Sequence, residues 1–115
     1  MTLEVRADLA VTAADGVSLA TDVFRPAGAG PWPAVLLRTY LGKARHTAEA
    51  VGWARRGFAC AVQDVRGRYG SDGEWRPYEH ERGDGRAAVE WLLAAPWCDG
   101  RVVAVGGSYN AFTAW

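Results

Sequence analysis

Three short apolar runs, separated by stretches with helical spacing, constrain the fold of this chain more than any other feature. The runs are Ala34 to Leu37, Phe58 to Val62, and Val102 to Val105. Continuous apolar runs of this length are typical of strands covered on both faces. Strand, helix, strand, helix, strand is the pattern of a parallel sheet with right-handed crossovers and helices on both faces. The sequence therefore predicts an α/β fold.

Helices are predicted over residues 47–56 and 81–95, where apolar residues recur at helical spacing. Residues 4–12 and 17–25 alternate in part between apolar and polar side chains, as half-buried strands do. Asp15-Gly16 lies between them, and this dipeptide suits a tight turn. The N-terminal part is thus predicted to be an antiparallel hairpin at a sheet edge. Residues 26–33, rich in Gly and Pro, are predicted to be a loop, and residues 109–115 to begin a helix.

Size and charge exclude several classes of protein. A chain of 115 residues fits one packing unit, and we treat residues 1–115 as part of a single domain. Its formal net charge is zero, whereas binding to nucleic acid or a membrane surface requires a sustained positive field. The charged N-terminus is unlike a signal peptide, and no apolar run is long enough to span a bilayer, so a cytoplasmic location is expected. Cys60 and Cys98 have no second pair, so neither a disulfide framework nor a four-ligand zinc site is expected, and both are predicted to be buried thiols.

The segment from Val102 to Phe112 carries the strongest chemical signal. A predicted buried strand enters Gly106-Gly107-Ser108 and continues into a predicted helix, which is the layout of a nucleophile elbow. Small neighbours are needed there because the turn is strained and brings backbone segments close together. An alternative is that Ser108 only caps the following helix. A dinucleotide-binding or phosphate-binding loop does not fit the glycine spacing.

Three blocks of sequence together resemble the cocaine-esterase and X-prolyl dipeptidyl-peptidase-like serine hydrolases. They are Gln63-Asp-Val-Arg-Gly-Arg-Tyr-Gly-Ser-Asp-Gly-Glu-Trp75, Glu90-Trp-Leu-Leu-Ala-Ala-Pro-Trp-Cys-Asp-Gly100 and Gly106-Gly-Ser-Tyr109, with a weaker match over residues 15–26. The resemblance implies the N-terminal portion of an α/β-hydrolase fold, with Ser108 as the nucleophile and the Tyr109 backbone N–H in the oxyanion hole. It implies no cofactor or metal. The family's elbow ends in Gly where this chain has Ala111, a difference of one methyl group.

The resemblance also implies a second oxyanion donor, a Tyr hydroxyl in the loop after the first buried strand. The family pattern is similar to Arg-Thr-Pro-Tyr-Gly-Lys, whereas this chain has Arg38-Thr-Tyr-Leu-Gly-Lys43. Leu41, which has no donor, therefore occupies the expected position, and Tyr40 lies one residue early. Either Tyr40 reaches the site through a local backbone shift or the hole lacks this hydroxyl. The alternative role for Tyr40 is ordinary packing beside the loop.

The segment after the second buried strand, residues 64–75, has two possible roles. Arg66, Arg68 and Asp72 could lie beside a substrate pocket. The favoured interpretation is that Asp64 and Arg66 fix the loop by ion pairs and backbone hydrogen bonds, with glycines at its turns. The tryptophans at positions 75, 91 and 97 are predicted to be packing residues.

A serine nucleophile needs a His base oriented by a carboxylate, and in this fold both follow the Ser along the chain. Residues 109–115 contain no Asp, Glu or His. His46 and His80 precede Ser108 and are predicted to be solvated surface residues. The expectation is a truncated serine hydrolase whose substrate is a small-molecule ester or amide or a peptide, X-prolyl peptides included. The isolated chain is expected to be inactive. The alternative is a non-catalytic fragment or pseudo-enzyme that needs a partner to complete its fold.

Overall fold

The computed structural model describes residues 2–75 and 80–105, except for the side chain of Glu81. In chain order the elements are β1 (Leu3–Thr12), β2 (Ser18–Pro26), β3 (Trp32–Thr39), a 3-10 turn (Lys43–His46), α1 (Thr47–Arg55), β4 (Ala59–Asp64), α2 (Glu81–Ala94) and β5 (Cys98–Val105). The predicted α/β fold is confirmed, and the helix predicted over residues 109–115 lies outside the described residues.

The five strands form one mixed sheet in the order β1-β2-β4-β3-β5. β1 and β2 are antiparallel and are joined by the predicted turn, where Gly16 has a φ of 88°. β2 is antiparallel to β4, whereas β3 is parallel to both β4 and β5. The predicted N-terminal hairpin followed by parallel strands is therefore confirmed.

The core has two layers because the side chains of β3 and β4 alternate between two covered faces. On one face, Val35, Leu37 and Val62 pack against Ala50 and Ala54 of α1. On the other face, Ala34, Leu36 and Ala61 pack against Ala88 and Leu92 of α2. Both crossover helices are as the apolar periodicity predicts. Neither helix of the described residues is long and apolar enough to cross a membrane.

Two sequence-based predictions about strands are wrong. Residues 26–33 are not all loop, since β2 ends at Pro26 and β3 begins at Trp32, whose partner in the parallel ladder is Cys98. β5 is not buried on both faces: Val103 is 52% exposed because β5 lies at the edge of the sheet and no described element covers it there. The start of β3 and the exposure of β5 both depend on which strands are neighbours in the sheet, and local amino-acid composition carries no information about that.

The carboxyl ends of the three parallel strands lie at the same edge of the sheet. These ends are Thr39 of β3, Asp64 of β4 and Val105 of β5, with β3 in the middle. Ligands of open α/β sheets bind beyond this edge. The segments that follow Thr39 and Asp64 are therefore the described parts of the candidate site.

Candidate active site

The loop after β3 is held by hydrogen bonds from its own backbone amides. The Leu41 N–H donates to Thr39 Oγ1 at 2.9 Å, and the Lys43 N–H donates to Asp64 Oδ1 at 2.7 Å. The first contact links a hydroxyl to the amide two residues on, a turn that Thr favours. The second joins the ends of β3 and β4. Both amides are thus used within the fold.

Asp64 ties together the two loops at the carboxyl edge. Its side chain is buried, and its Oδ2 accepts a hydrogen bond from the Gly70 N–H at 3.1 Å. Its backbone carbonyl accepts a hydrogen bond from Ser71 Oγ at 2.6 Å. Burial raises the pKa of Asp64, and the hydrogen bonds from the amides of Gly70 and Lys43 oppose that rise. These contacts agree with the predicted structural role of Asp64.

Arg66 fixes the start of the same loop from the other side. Its Nε and Nη2 donate to the two carboxylate oxygens of Asp84 in α2, at 2.9 and 2.8 Å. Its Nη1 and Nη2 donate to Asp15 in the β1–β2 turn, at 2.7 and 3.0 Å. Both forks are bidentate, the geometry in which Arg binds carboxylates most strongly. Arg66 therefore joins the hairpin, the loop and α2, so its predicted structural role agrees with the contacts.

Tyr40 packs on the loop after β4. Its ring is parallel to that of Trp75, with an interplanar angle of 3° and 6.2 Å between the ring centroids. The Arg68 guanidinium lies 4.6 Å from the centroid of the same Trp75 ring. Arg68 Nε donates to the Tyr40 carbonyl at 3.1 Å. Trp75 is thus a packing residue, as predicted, and what it packs against is the candidate oxyanion donor.

A cleft of about 330 Å³ opens between the two loops. Its lining residues belong to both loops: Leu41, Gly42, Lys43, Ala44, Arg45, Asp64, Tyr69 and Gly70. Gly42 has a φ of 97°, and a Cβ there would lie 3.3 Å from the ring of Tyr69. Lys43 Nζ is paired with Asp8 at 2.7 Å and with Asp22 at 3.3 Å. Lys43, one of the lining residues, is therefore fixed by contacts with β1 and β2.

The prediction that His46 is a solvated surface residue is wrong. Its side chain is 16% exposed, and Nε2 lies 3.0 Å from Thr39 Oγ1. The cause is the 3-10 turn, which carries residue 46 back over the end of β3. His80 is partly buried at the start of α2, where its carbonyl accepts the Asp84 N–H at 3.0 Å, so it too is less exposed than predicted.

Sequence reasoning missed the roles of Thr39 and Lys43. A Thr at the end of a strand followed by a loop is a recognisable signal for a hydroxyl-to-amide turn. The hydrogen bond from Arg68 to Tyr40 joins residues 28 positions apart in different loops, and no local signal predicts it.

Ser108 and Tyr109 lie outside the described residues, and the strand before them ends at Val105. In the ladder between β3 and β5, Leu37 pairs with Val105. Tyr40 is three residues beyond Leu37, and Ser108 is three residues beyond Val105. Among the described residues, no group of His, Cys, Asp and Glu converges in a way that could hold a metal ion.

Residues 15–115 match the model of the X-Pro dipeptidyl-peptidase family, S15. The chain belongs to this S15 family. Its members are hydrolases, and the likeness covers both described loops of the site as well as the Ser108 segment.

Individual proteins similar to this S15 chain agree with the family assignment. Cocaine esterase from Rhodococcus sp. (strain MB1 Bresler) is 35% identical over 117 residues, which cover 96% of this chain and 20% of the esterase. An aminopeptidase from a marine sediment Thaumarchaeota archaeon has a TM-score of 0.86 at 27% identity, over 97% of this chain and 22% of that one. An α-amino acid ester hydrolase also has a TM-score of 0.86, at 26% identity, over 96% of this chain and 22% of that one. The chain therefore spans about a fifth of the length of these relatives, and its predicted partial α/β-hydrolase fold is confirmed.

Proposed function

We propose that this S15 chain is the nucleophile-bearing segment of a serine hydrolase that cleaves an ester or amide bond through an acyl-enzyme on Ser108. The observation that carries the proposal is the pairing of Leu37 with Val105 on adjacent parallel strands. The two candidate site residues, Tyr40 and Ser108, follow this pair at the same distance along the chain. Adjacent strands are about 4.8 Å apart, so this register supports a site shared by the ends of β3 and β5.

In the proposed reaction, Ser108 Oγ attacks the substrate carbonyl carbon while a His accepts the hydroxyl proton. The carbonyl π electrons move to oxygen, and the resulting oxyanion accepts hydrogen bonds from the Tyr109 N–H and a second donor. Collapse of the intermediate expels the alcohol or amine, which takes the proton back from the His. Water then releases the acid by the same steps. In this fold the His and its carboxylate follow the Ser along the chain, and residues 109–115 contain no Asp, Glu or His.

Tyr40 is the proposed source of the second donor. Two backbone amides of its loop, those of Leu41 and Lys43, already donate to Thr39 and Asp64. The Leu41 side chain has no donor. The Tyr40 phenol carries a hydroxyl donor, and Tyr40 follows β3, the strand adjacent to β5.

The proposed substrates are esters and amides, because the similar proteins include esterases and an aminopeptidase. Esters, amides and X-prolyl peptides all present the carbonyl that this chemistry attacks. A cytoplasmic location is part of the proposal. The alternative is a non-catalytic segment that folds with a partner.

A fluorophosphonate probe tests the proposal, since it reacts with activated serines. We expect the protein expressed from its natural gene to be labelled at Ser108, and Ser108→Ala to abolish labelling. Ser18→Ala is the matched control, because Ser18 lies in β2 and should leave labelling intact. The 115-residue chain alone should label weakly at best. Labelling that persists in Ser108→Ala would refute the assignment, and an unlabelled wild-type protein would favour the alternative.

A further inference from the structure

We propose that Arg68 is a positioning residue for hydrolysis, acting through Tyr40 by holding it in place at the carboxyl end of β3, the strand adjacent to β5. This inference rests on the proposed function, because it requires Tyr40 to supply a donor to the oxyanion. We call Arg68, Trp75 and Tyr40 the Tyr40 clamp.

The clamp holds Tyr40 at two points. Arg68 Nε donates to the backbone carbonyl of Tyr40 at 3.1 Å, which fixes the main chain where it leaves β3. The ring of Trp75 is stacked parallel to that of Tyr40, which restricts the side chain. The Arg68 guanidinium lies 4.6 Å from the Trp75 centroid, within the range of a cation–π contact. One arginine therefore fixes both the carbonyl and the ring on which Tyr40 stacks.

The backbone of the loop explains why Arg68 and Trp75 are adjacent. Gly67 has a φ of 73°, and a Cβ there would lie 2.0 Å from the Trp75 nitrogen. The Gly67 N–H also donates to the Asp72 carbonyl at 2.8 Å. Only glycine allows this approach, so the loop closes on itself and brings residues 68 and 75 together.

The place of the Tyr40 clamp in the fold gives it a proposed role in catalysis beyond packing. Arg68 belongs to the loop after β4, yet it bonds to the residue that follows β3, the strand adjacent to β5. An oxyanion donor is effective only when it is held close to the position of the developing charge, and a misplacement of about 1 Å can cost about 100-fold in rate.

The test is the rate of Ser108 labelling by a fluorophosphonate in the protein expressed from its natural gene. We expect Arg68→Met to reduce the maximal labelling rate by about 10- to 100-fold without changing the probe concentration at half-maximal rate. Arg68→Lys keeps a cation over Trp75 but loses the planar Nε donor, so a smaller loss is expected, and it replaces the Met variant if that protein does not fold. Arg56→Met is the matched control, since Arg56 lies 5.8 Å from the ring centroid of Trp53, at the far end of α1.

A double-mutant cycle with Tyr40→Phe separates positioning from a general structural effect. If Arg68 acts through the Tyr40 hydroxyl, Arg68→Met should cause no further loss once that hydroxyl is absent. An equal loss in both backgrounds, or Arg68 variants no slower than Arg56→Met, would overturn the clamp while Ser108 labelling upholds the proposed function. Absence of labelling at Ser108 in the wild-type protein would overturn both.

Discussion

Replacing Asp84 by Asn should destabilise the fold strongly, although Asp84 touches no candidate catalytic residue. The side chains of Asp84 and Arg66 are only 4% and 9% exposed, and two hydrogen bonds join them. Removing one partner of a buried ion pair costs about 3–5 kcal/mol, because the other charge is left without compensation. Asp15 still neutralises part of the Arg66 charge in the variant, so we expect a value at the lower end, about 3 kcal/mol.

Urea unfolding of the 115-residue chain, followed by far-UV circular dichroism, measures this loss. With a slope of about 2 kcal/mol/M, a loss of about 3 kcal/mol lowers the midpoint by about 1.5 M. Asp99→Asn is the matched control: Asp99 also accepts two hydrogen bonds from one arginine, Arg101, but that arginine is 74% exposed. Exposed ion pairs contribute little, so its midpoint should scarcely change. Equal midpoints for the two variants would refute the claim that Arg66 anchors the loop through a buried pair.

Two further predictions concern protonation. The hydrogen bonds from Arg66 hold the pKa of Asp15 at about 2, below its usual 3.8. This carboxylate therefore stabilises the fold above pH 3.8, and its contribution is lost as the pH falls towards 2, so the urea midpoint between pH 5 and 2 should fall less steeply for Asp15→Asn than for the wild type. Parallel curves for the two proteins would contradict this role of Asp15. Burial raises the pKa of the Cys60 thiol to about 12, whereas Cys98 is partly exposed. At pH 8, iodoacetamide should therefore modify Cys98 in the native chain and Cys60 only after unfolding, which peptide mass spectrometry can check. Rapid modification of Cys60 in the native chain would show that β4 is not buried.

The sequence predicted the fold well because its signals were local. Apolar runs, helical spacing and the Asp15-Gly16 turn each fix a few consecutive residues, and all of these elements are present. The exposure of Val103 could not be predicted in this way, because an apolar run looks the same in a central strand and in an edge strand. Sheet order decides between them, and sheet order depends on contacts between residues far apart in the chain.

The same difference between local signals and contacts across the chain decided which parts of the candidate site could be predicted. Asp64 and Arg66 were predicted to be structural from their positions in a glycine-rich loop, and their contacts agree. The stack of Tyr40 on Trp75 was not predictable, because it depends on how two separate loops meet. The partial burial of His46 was missed because it depends on the 3-10 turn that carries this residue back over the end of β3. The roles of Ser108 and Tyr109 remain predictions, carried by the elbow pattern and the family.

The two described loops at the carboxyl edge form a single unit before any substrate is present. The Val65 N–H donates to the Thr39 carbonyl at 2.9 Å, and the bonds from Lys43 to Asp64 and from Arg68 to Tyr40 continue this connection outward. A donor held in this way needs little reorganisation as charge develops, which is the main source of electrostatic catalysis. None of these contacts selects one acyl group over another. Under the proposed function, this segment supplies a rigid part of the reaction centre.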